Sequence, residues 1–458
     1  MTDLPAPTHI RVDPFPRIPP LLPNPEPRRI AMVSTHGYVA AEPPLGAADT
    51  GGQVVYVIQL SKKLADLGYE VDIWTRRFEN QDEVEAICDG VRIIRMPCGG
   101  KQFIPKERLY EHLPEWNKHV LGYIAQHGLR YEFINSHYWD AGVATEHLSR
   151  VLGVSHVHTP HSLGTWKQEQ MKSDFPGDGA ALERKYNFSN RIRRERMLYG
   201  SAAALVPTTL PQLDRLVDDY SVPREKCQVL PPGFDDSRFF PLSDAARRAI
   251  RQRLGFDRPV VLAVGRLARN KGYDLLLRAF QVVTRRIPEA LLYVAAGGSE
   301  IRPDERQMLA SLKALAGELG LESHVQFGTF IPEQELANYY QAADAFALPS
   351  RYEPFGMTAL EAMACGTPTI VTTHGGFCPG ISFGSEALYA DPFDAEDFGI
   401  MMVKVLADPR LHSRLSRIGA RRARCSFTWS IVAQKLLAVM ERIRGRPLQA
   451  RYAEGSLN

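Results

Sequence analysis

Two short segments in the second half of the chain carry charged residues at spacings that suit an anionic, hydroxyl-bearing ligand. In the first, Gly265-Arg266-Leu267-Ala268-Arg269-Asn270-Lys271-Gly272 joins the apolar run PVVLAVG to an amphipathic stretch. Arg266 then stands at a strand end and Lys271 at a helix start. A diphosphate is met well by one forked and one point cation, and these two residue types supply both. Read alone, the turn also fits an ordinary solvated basic loop. In the second segment, Ser350-Arg351-Tyr352-Glu353-Pro354-Phe355-Gly356-Met357-Thr358-Ala359-Leu360-Glu361, Pro354 and Gly356 hold Glu353 in a loop before a helix expected from about Phe355. The amides of its first turn, from Phe355 through Gly356, Met357 and Thr358, favour a phosphate. Glu361 follows Gly356 by five residues, about 7.5 Å along the axis at ~1.5 Å per residue. The two carboxylates therefore sit at different depths. One reaches a sugar beside the phosphates and the other reaches ribose hydroxyls. A glycosidase would place its carboxylates across a single bond, ~5–9.5 Å apart. A solvated helix face would not surround Glu361 with Ala, Leu and Met.

Other chemistries fare less well. Four histidines follow apolar runs: His36, His137, His161 and His374. In open α/β sheets such strand ends are where ligands bind. Gly51-Gly52-Gln53 precedes a helical pattern and lets backbone N–H groups approach an anion or sugar, although glycines there also simply make a turn. No G-x-G-x-x-G follows a strand pattern, which disfavours a dinucleotide cofactor, and no P-loop is present. Gly380-Ile381-Ser382-Phe383-Gly384 matches G-x-S-x-G but lacks the strand before and the helix after that a nucleophile elbow needs. His156 and His158 alternate on one strand with His161 beyond, yet no further ligands stand at zinc spacing, so core packing is expected for the first two.

The elements that must position these residues form two series of alternating strands and helices. IAMVS (30–34), VDIWT (71–75), VRIIRM (91–96), EFINS (132–136), SHVHT (155–159), AALVPT (203–208) and QVLPP (228–232) read as strands of one parallel sheet. A long helical stretch is expected from Glu107 to Gln126. The alternation restarts at residue 259. Two doubly wound Rossmann-like units facing a cleft are expected, over 1–240 and 241–429, with a helix within 430–458 that could pack back across either. The length, 458 residues, accommodates this. Lys and Arg number 55 against 52 Asp and Glu, a net +3, which argues against a nucleic-acid partner. The basic clusters at 191–196, 247–253, 421–424 and 442–446 read as solvated helix faces. Six scattered cysteines fit reduced thiols of a cytoplasmic enzyme. No apolar run is long enough to span a membrane. The proline-rich N-terminus reads as an extended lead-in.

The E-x7-E pattern of Glu353 and Glu361, taken with the Arg266/Lys271 turn, resembles the donor site of retaining GT-B glycosyltransferases of family 4. Asp49-Thr50-Gly51-Gly52-Gln53, Thr75-Arg76-Arg77, Gly99-Gly100 to Pro105-Lys106-Glu107, His137-Tyr138-Trp139-Asp140 and His158-Thr159-Pro160-His161 resemble its sucrose-phosphate synthase branch. The stretch from His36 to Thr50 is most similar to the branch members that form mannosylfructose phosphate. The resemblance implies hexosyl transfer from a nucleotide-sugar donor, GDP-mannose or alternatively UDP-glucose, to fructose 6-phosphate. It implies that Lys106, Lys167 and Arg191 bind the acceptor phosphate, and that Gly52, Gln53 and Tyr138 line the acceptor pocket. His161 would hold the transferred hexose, Arg266 and Lys271 the diphosphate, Glu353 hexose hydroxyls and Glu361 the ribose. Phe355, Gly356, Met357 and Thr358 would frame the donor. That chemistry requires no cofactor; a divalent-cation requirement and the oligomeric state are left open. One departure is His374-Gly375-Gly376-Phe377, where many relatives run Gly-Gly-Pro-x-Glu.

Overall fold

The computed structural model describes residues 28–44, 50–174, 177–297, 303–328, 330–377 and 380–444. The N-terminal lead-in, Asp49, Cys378 and everything beyond 444 lie outside them. Two sheets carry the fold. The first has strands β1 (Arg28–Val33), β2 (Tyr69–Arg77), β3 (Val84–Cys88), β4 (Val91–Pro97), β5 (Phe133–His137), β6 (Ser155–Thr159) and β7 (Ala204–Leu205), in the order β3-β4-β2-β1-β5-β6-β7. The second has β8 (Val260–Gly265), β9 (Leu291–Ala296), β10 (Val325–Gly328), β11 (Ala345–Leu348), β12 (Thr369–Thr372) and β13 (Leu388–Ala390), in the order β10-β9-β8-β11-β12-β13. All pairings are parallel except β3 with β4. Both faces of each sheet are covered, which explains the continuous apolar runs. In β1, Ile30 and Met32 enter one core while Ala31 and Val33 enter the opposite one. Val260 and Leu262 of β8 divide likewise from Val261 and Ala263.

Some expectations need correction. The edge strand β3 was not anticipated; its side chains are largely exposed and mixed in character, so it shows no apolar run. AALVPT yields only the two residues of β7. QVLPP is not a strand: Gln228 and Leu230 donate to Leu205 and Pro207, but Pro231 and Pro232 have no N–H to continue the ladder. The helix expected over 107–126 divides into Lys106–Leu109, a 3-10 turn, and Leu113–His127, where Pro114 occupies the first turn. The donor-side helix starts at Met357 rather than Phe355, because Gly356 caps it at φ +101°.

The chain crosses between the sheets twice, near Phe234 and near Thr428. The crossings are bonded together, Phe234 N to Phe427 O at 3.0 Å and Trp429 N to Phe234 O at 3.3 Å. The final described helix, Trp429–Ile443, is N-capped by Thr428 and returns to the first unit. Its buried Trp429, Val432, Leu436, Val439 and Ile443 share a core with Val54, Val57 and Leu64 of the helix Gly52–Asp66.

Candidate active site

On the second-sheet side, two loops are clamped to each other. Arg351 donates to both carboxylate oxygens of Asp274 at 2.8 and 2.7 Å and to the carbonyl of Arg269, while its own amide donates to Asn270 O. Gly272, at φ +68°, lies so close to Pro349 that a Cβ would stand 2.1 Å from its carbonyl oxygen. Packed this way, Lys271 Nζ meets Glu353 Oε2 at 2.5 Å, and Ser350 Oγ donates to the same oxygen at 3.0 Å. Arg266 is exposed and has no carboxylate partner among the described residues. Its charge is open to an anion.

The His374-Gly375-Gly376 turn holds Glu353 by its backbone: Glu353 N donates to His374 O, and Gly376 N to Glu353 O. A Cβ on Gly375 would stand 2.7 Å from Glu353 O, and one on Gly376 2.3 Å from both Pro354 O and Thr209 Cγ2. The paired glycines are thus a packing requirement. In the departing part of the motif, His374 Nε2 lies 3.0 Å from Asp391 and Phe377 is buried against Phe355. Phe355 itself packs inward with Phe377 and Phe427, so its side chain belongs to the core. Gly356 leaves the helix N-terminus without a side-chain cap, and no acidic residue occupies the first turn, which contains Met357 and Thr358. Its free amides suit a phosphate oxygen. Glu361, one turn on, accepts from Tyr340 Oη at 3.0 Å. Burial drives its pKa up to about 7, with the Tyr340 bond opposing the rise.

On the first-sheet side, Gly51 starts the helix Gly52–Asp66, also without a side-chain cap. Gln53 donates to Ser34 Oγ and His137 O at 3.2 and 3.3 Å. A Cβ on Gly52 would rest 3.5 Å from Met357 Sδ, so the two uncapped helix starts face each other across the cleft. Trp166 and Tyr352 also meet across it, edge to face at 4.9 Å. Buried Arg76 fixes the loop leading to Lys106 by donating to the carbonyls of Cys98, Gly100 and Gln102. Lys106 and Lys167 both approach Glu107 Oε1, at 3.7 and 3.8 Å, which brings two cations from different helices together. Buried Glu195 pins the start of the Lys167 helix through Gly164 N at 3.0 Å and pairs with Arg191 Nε at 2.8 Å. Arg191 also donates to Tyr138 Oη at 3.0 Å and to Ser162 O at 2.9 Å. It is 3% exposed, so it works from behind the pocket wall.

Tyr138 and His161 take left-handed backbone conformations, φ +75° and +58°, at the ends of β5 and β6. Such strain in non-glycine residues clusters at functional sites. His161 lies against His137, with burial and His36 driving its pKa down to about 3. His36 and Thr35 both bond buried Asp140. His156 and His158 share Ser136 Oγ, at 2.6 and 2.8 Å, inside the sheet. Ser382 follows β12 through a loop and lies before β13, with its amide on Glu386, so it has no elbow geometry. His137, Gln212, Ser350 and Tyr340 are site-forming residues to which the sequence assigned no role. Only His137, as a strand-end histidine, carried a signal.

The Glycosyl transferases group 1 pattern matches residues 246–422, Glycosyltransferase Family 4 matches 50–238, and the first GT-B domain of sucrose synthase matches 21–73. The chain is 55% identical to a mannosylfructose-phosphate synthase of Agrobacterium fabrum, over 90% of this chain and 91% of that one. The chain belongs to the group 1 GT-B glycosyltransferases. It is a hexosyltransferase with two parallel-sheet units. A D-inositol 3-phosphate glycosyltransferase of Corynebacterium jeikeium is 33% identical, covering 91% of this chain and 97% of its own. The solved sucrose-phosphate synthase of Thermosynechococcus elongatus superposes with a TM-score of 0.76 at 30% identity, covering 91% and 99%. No helix among the described residues of this glycosyltransferase is long and apolar enough to cross a membrane.

Proposed function

We propose that this hexosyltransferase moves mannose from GDP-mannose to fructose 6-phosphate with retention of anomeric configuration. The observation that carries the reading is the 55% identity to a mannosylfructose-phosphate synthase along 90% of the chain. Two sets of cations support it, the pair Lys106 and Lys167 around Glu107 on one side of the cleft, and Arg266 and Lys271 of a single loop on the other. In this reading the first pair takes the acceptor phosphate, and Arg191, paired with Glu195, acts from behind by holding Tyr138 and Ser162. Gly52 and Gln53 line the acceptor pocket. Arg266, Lys271 and the amides at Met357 and Thr358 take the diphosphate, Glu361 the ribose, and Glu353 and His161 the hexose. In this reading the chemistry requires no cofactor, a divalent-cation requirement stays open, and the enzyme is cytoplasmic with reduced thiols.

Glu353 is held by Lys271 and Ser350, and Glu361 by Tyr340, which suits both carboxylates to holding hydroxyls. In this reading the transfer is front-face. The acceptor hydroxyl oxygen bonds to hexose C1, the bond from C1 to the diphosphate breaks, and the departing phosphate oxygen takes the hydroxyl proton. Preorganised cations at the departing charge supply the main stabilisation. The structural likeness to a sucrose-phosphate synthase favours one alternative, UDP-glucose as donor. Purified protein mixed with fructose 6-phosphate and either donor decides between them. GDP release from GDP-mannose is expected; UDP release alone selects the alternative, and release from neither overturns the proposed substrates.

A further inference from the structure

Two imidazoles end neighbouring strands of the first sheet, with His137 Nδ1 3.0 Å from His161 Nε2. One proton lies between these nitrogens, so one ring donates and the other accepts. Burial, with His161 alongside, holds the His137 pKa well below its ordinary 6.5, and His161 is likewise neutral. Each ring therefore carries a single N–H. His137 has no exposed surface, and its other nitrogen, Nε2, is buried without a hydrogen-bond partner. An orphaned buried N–H is rarer and costlier than an orphaned lone pair. The proton of His137 accordingly sits on Nδ1 and points at His161. His161 Nε2 accepts, which leaves the His161 proton on Nδ1. The backbone fixes both rings from behind, since Gln53 donates to His137 O and Gln212 to His161 O.

We infer that His137 is a positioning residue whose Nδ1–H bond sets His161 as an Nδ1–H donor toward the cleft. The acceptor of that proton is a hydroxyl oxygen of the transferred hexose, which keeps its own proton free to donate elsewhere. The inference rests on the hexose-holding role proposed above for His161.

The test uses the full chain labelled with 15N-histidine, with His161 signals identified by their loss in His161→Gln. Wild type is expected to show His161 protonated at Nδ1 and bare at Nε2. His137→Leu shifts it toward the Nε2–H form and lowers kcat about tenfold, with KM for GDP-mannose within about twofold. His137→Asn, whose amide N–H stands where Nδ1–H stood, restores the Nδ1–H form and most of kcat. Wild-type His161 in the Nε2–H form overturns the inference, as does a folded His137→Asn that fails to keep Nδ1–H. Full activity in His161→Gln instead removes the hexose-holding role, and with it the assigned acceptor.

Discussion

At the residue scale, Glu361 joins a physical perturbation to a proposed ligand. Its carboxyl is raised to about 7 by burial, so it is half-protonated near neutrality. A ribose hydroxyl donates best to the ionised form. Donor binding should therefore tighten as pH rises from 6 to 8, because the protonated fraction must otherwise be ionised first. A nucleotide sugar is the right probe, since its diphosphate has no terminal group titrating near pH 6. Calorimetry with GDP-mannose alone is expected to show the affinity rising over that window, and Glu361→Gln should flatten the dependence while weakening binding about tenfold. The same shift bears on stability. The folded pKa lies above the unfolded one, so the stabilising contribution is complete below about pH 4.5 and is lost as pH rises through 7. Arg266 belongs at this scale too. With no carboxylate partner among the described residues, its charge is available for a departing diphosphate, and Arg266→Ala should lower kcat by about 10²-fold. Steady-state rates within twofold of wild type would remove that assignment.

At the element scale, the determinant is how closely loops can approach. Gly376 has Pro354 O and Thr209 Cγ2 both at 2.3 Å from where a Cβ would sit, and Pro354 O is backbone that cannot yield by rotating. Gly376→Ala should displace the turn that holds Glu353 and cut kcat/KM by about 10²-fold, the scale of an ångström's misplacement. Gly380→Ala, where the nearest atom is Phe427 Cζ at 4.0 Å, should leave activity within about twofold. Assaying the two alanine variants side by side checks this. The contrast also explains what could be read beforehand. Strands such as β1 and β8 were legible because their apolar runs, Ile30 to Val33 and Val260 to Ala263, are buried on both faces. The edge strand β3 was not, because it packs on one side only and mixes Glu, Ala and Cys. In the candidate set, Arg266 and Lys271 stood out as cations at a strand end and a helix start, Glu353 as a loop carboxylate before a helix, and Glu361 as a carboxylate among apolar neighbours. The bonds that orient the set, from Ser350, Tyr340 and Gly376, were not legible, since each joins segments whose approach depends on the finished packing.

At the scale of the whole molecule, function depends on two units keeping one registration. The cleft contacts of Gly52 with Met357 and of Trp166 with Tyr352 join residues 305 and 186 positions apart in number, and no local periodicity encodes them. Their registration is set at the paired crossings. There Gly233 lies against the second crossing, so that a Cβ would stand 2.6 Å from Trp429 N and 2.8 Å from its Cα. Both are backbone atoms at the start of a helix whose remaining length is embedded in the first core. Relief in Gly233→Ala must therefore come from separating the crossings, while the proposed nucleotide site lies in the second unit alone and should be spared. The expected result is GDP affinity within about twofold of wild type by calorimetry, together with a fall in kcat of about tenfold or more. Equal losses in nucleotide affinity and turnover would show that the crossing supports the second unit itself, and unchanged turnover would show that the units keep their registration without it.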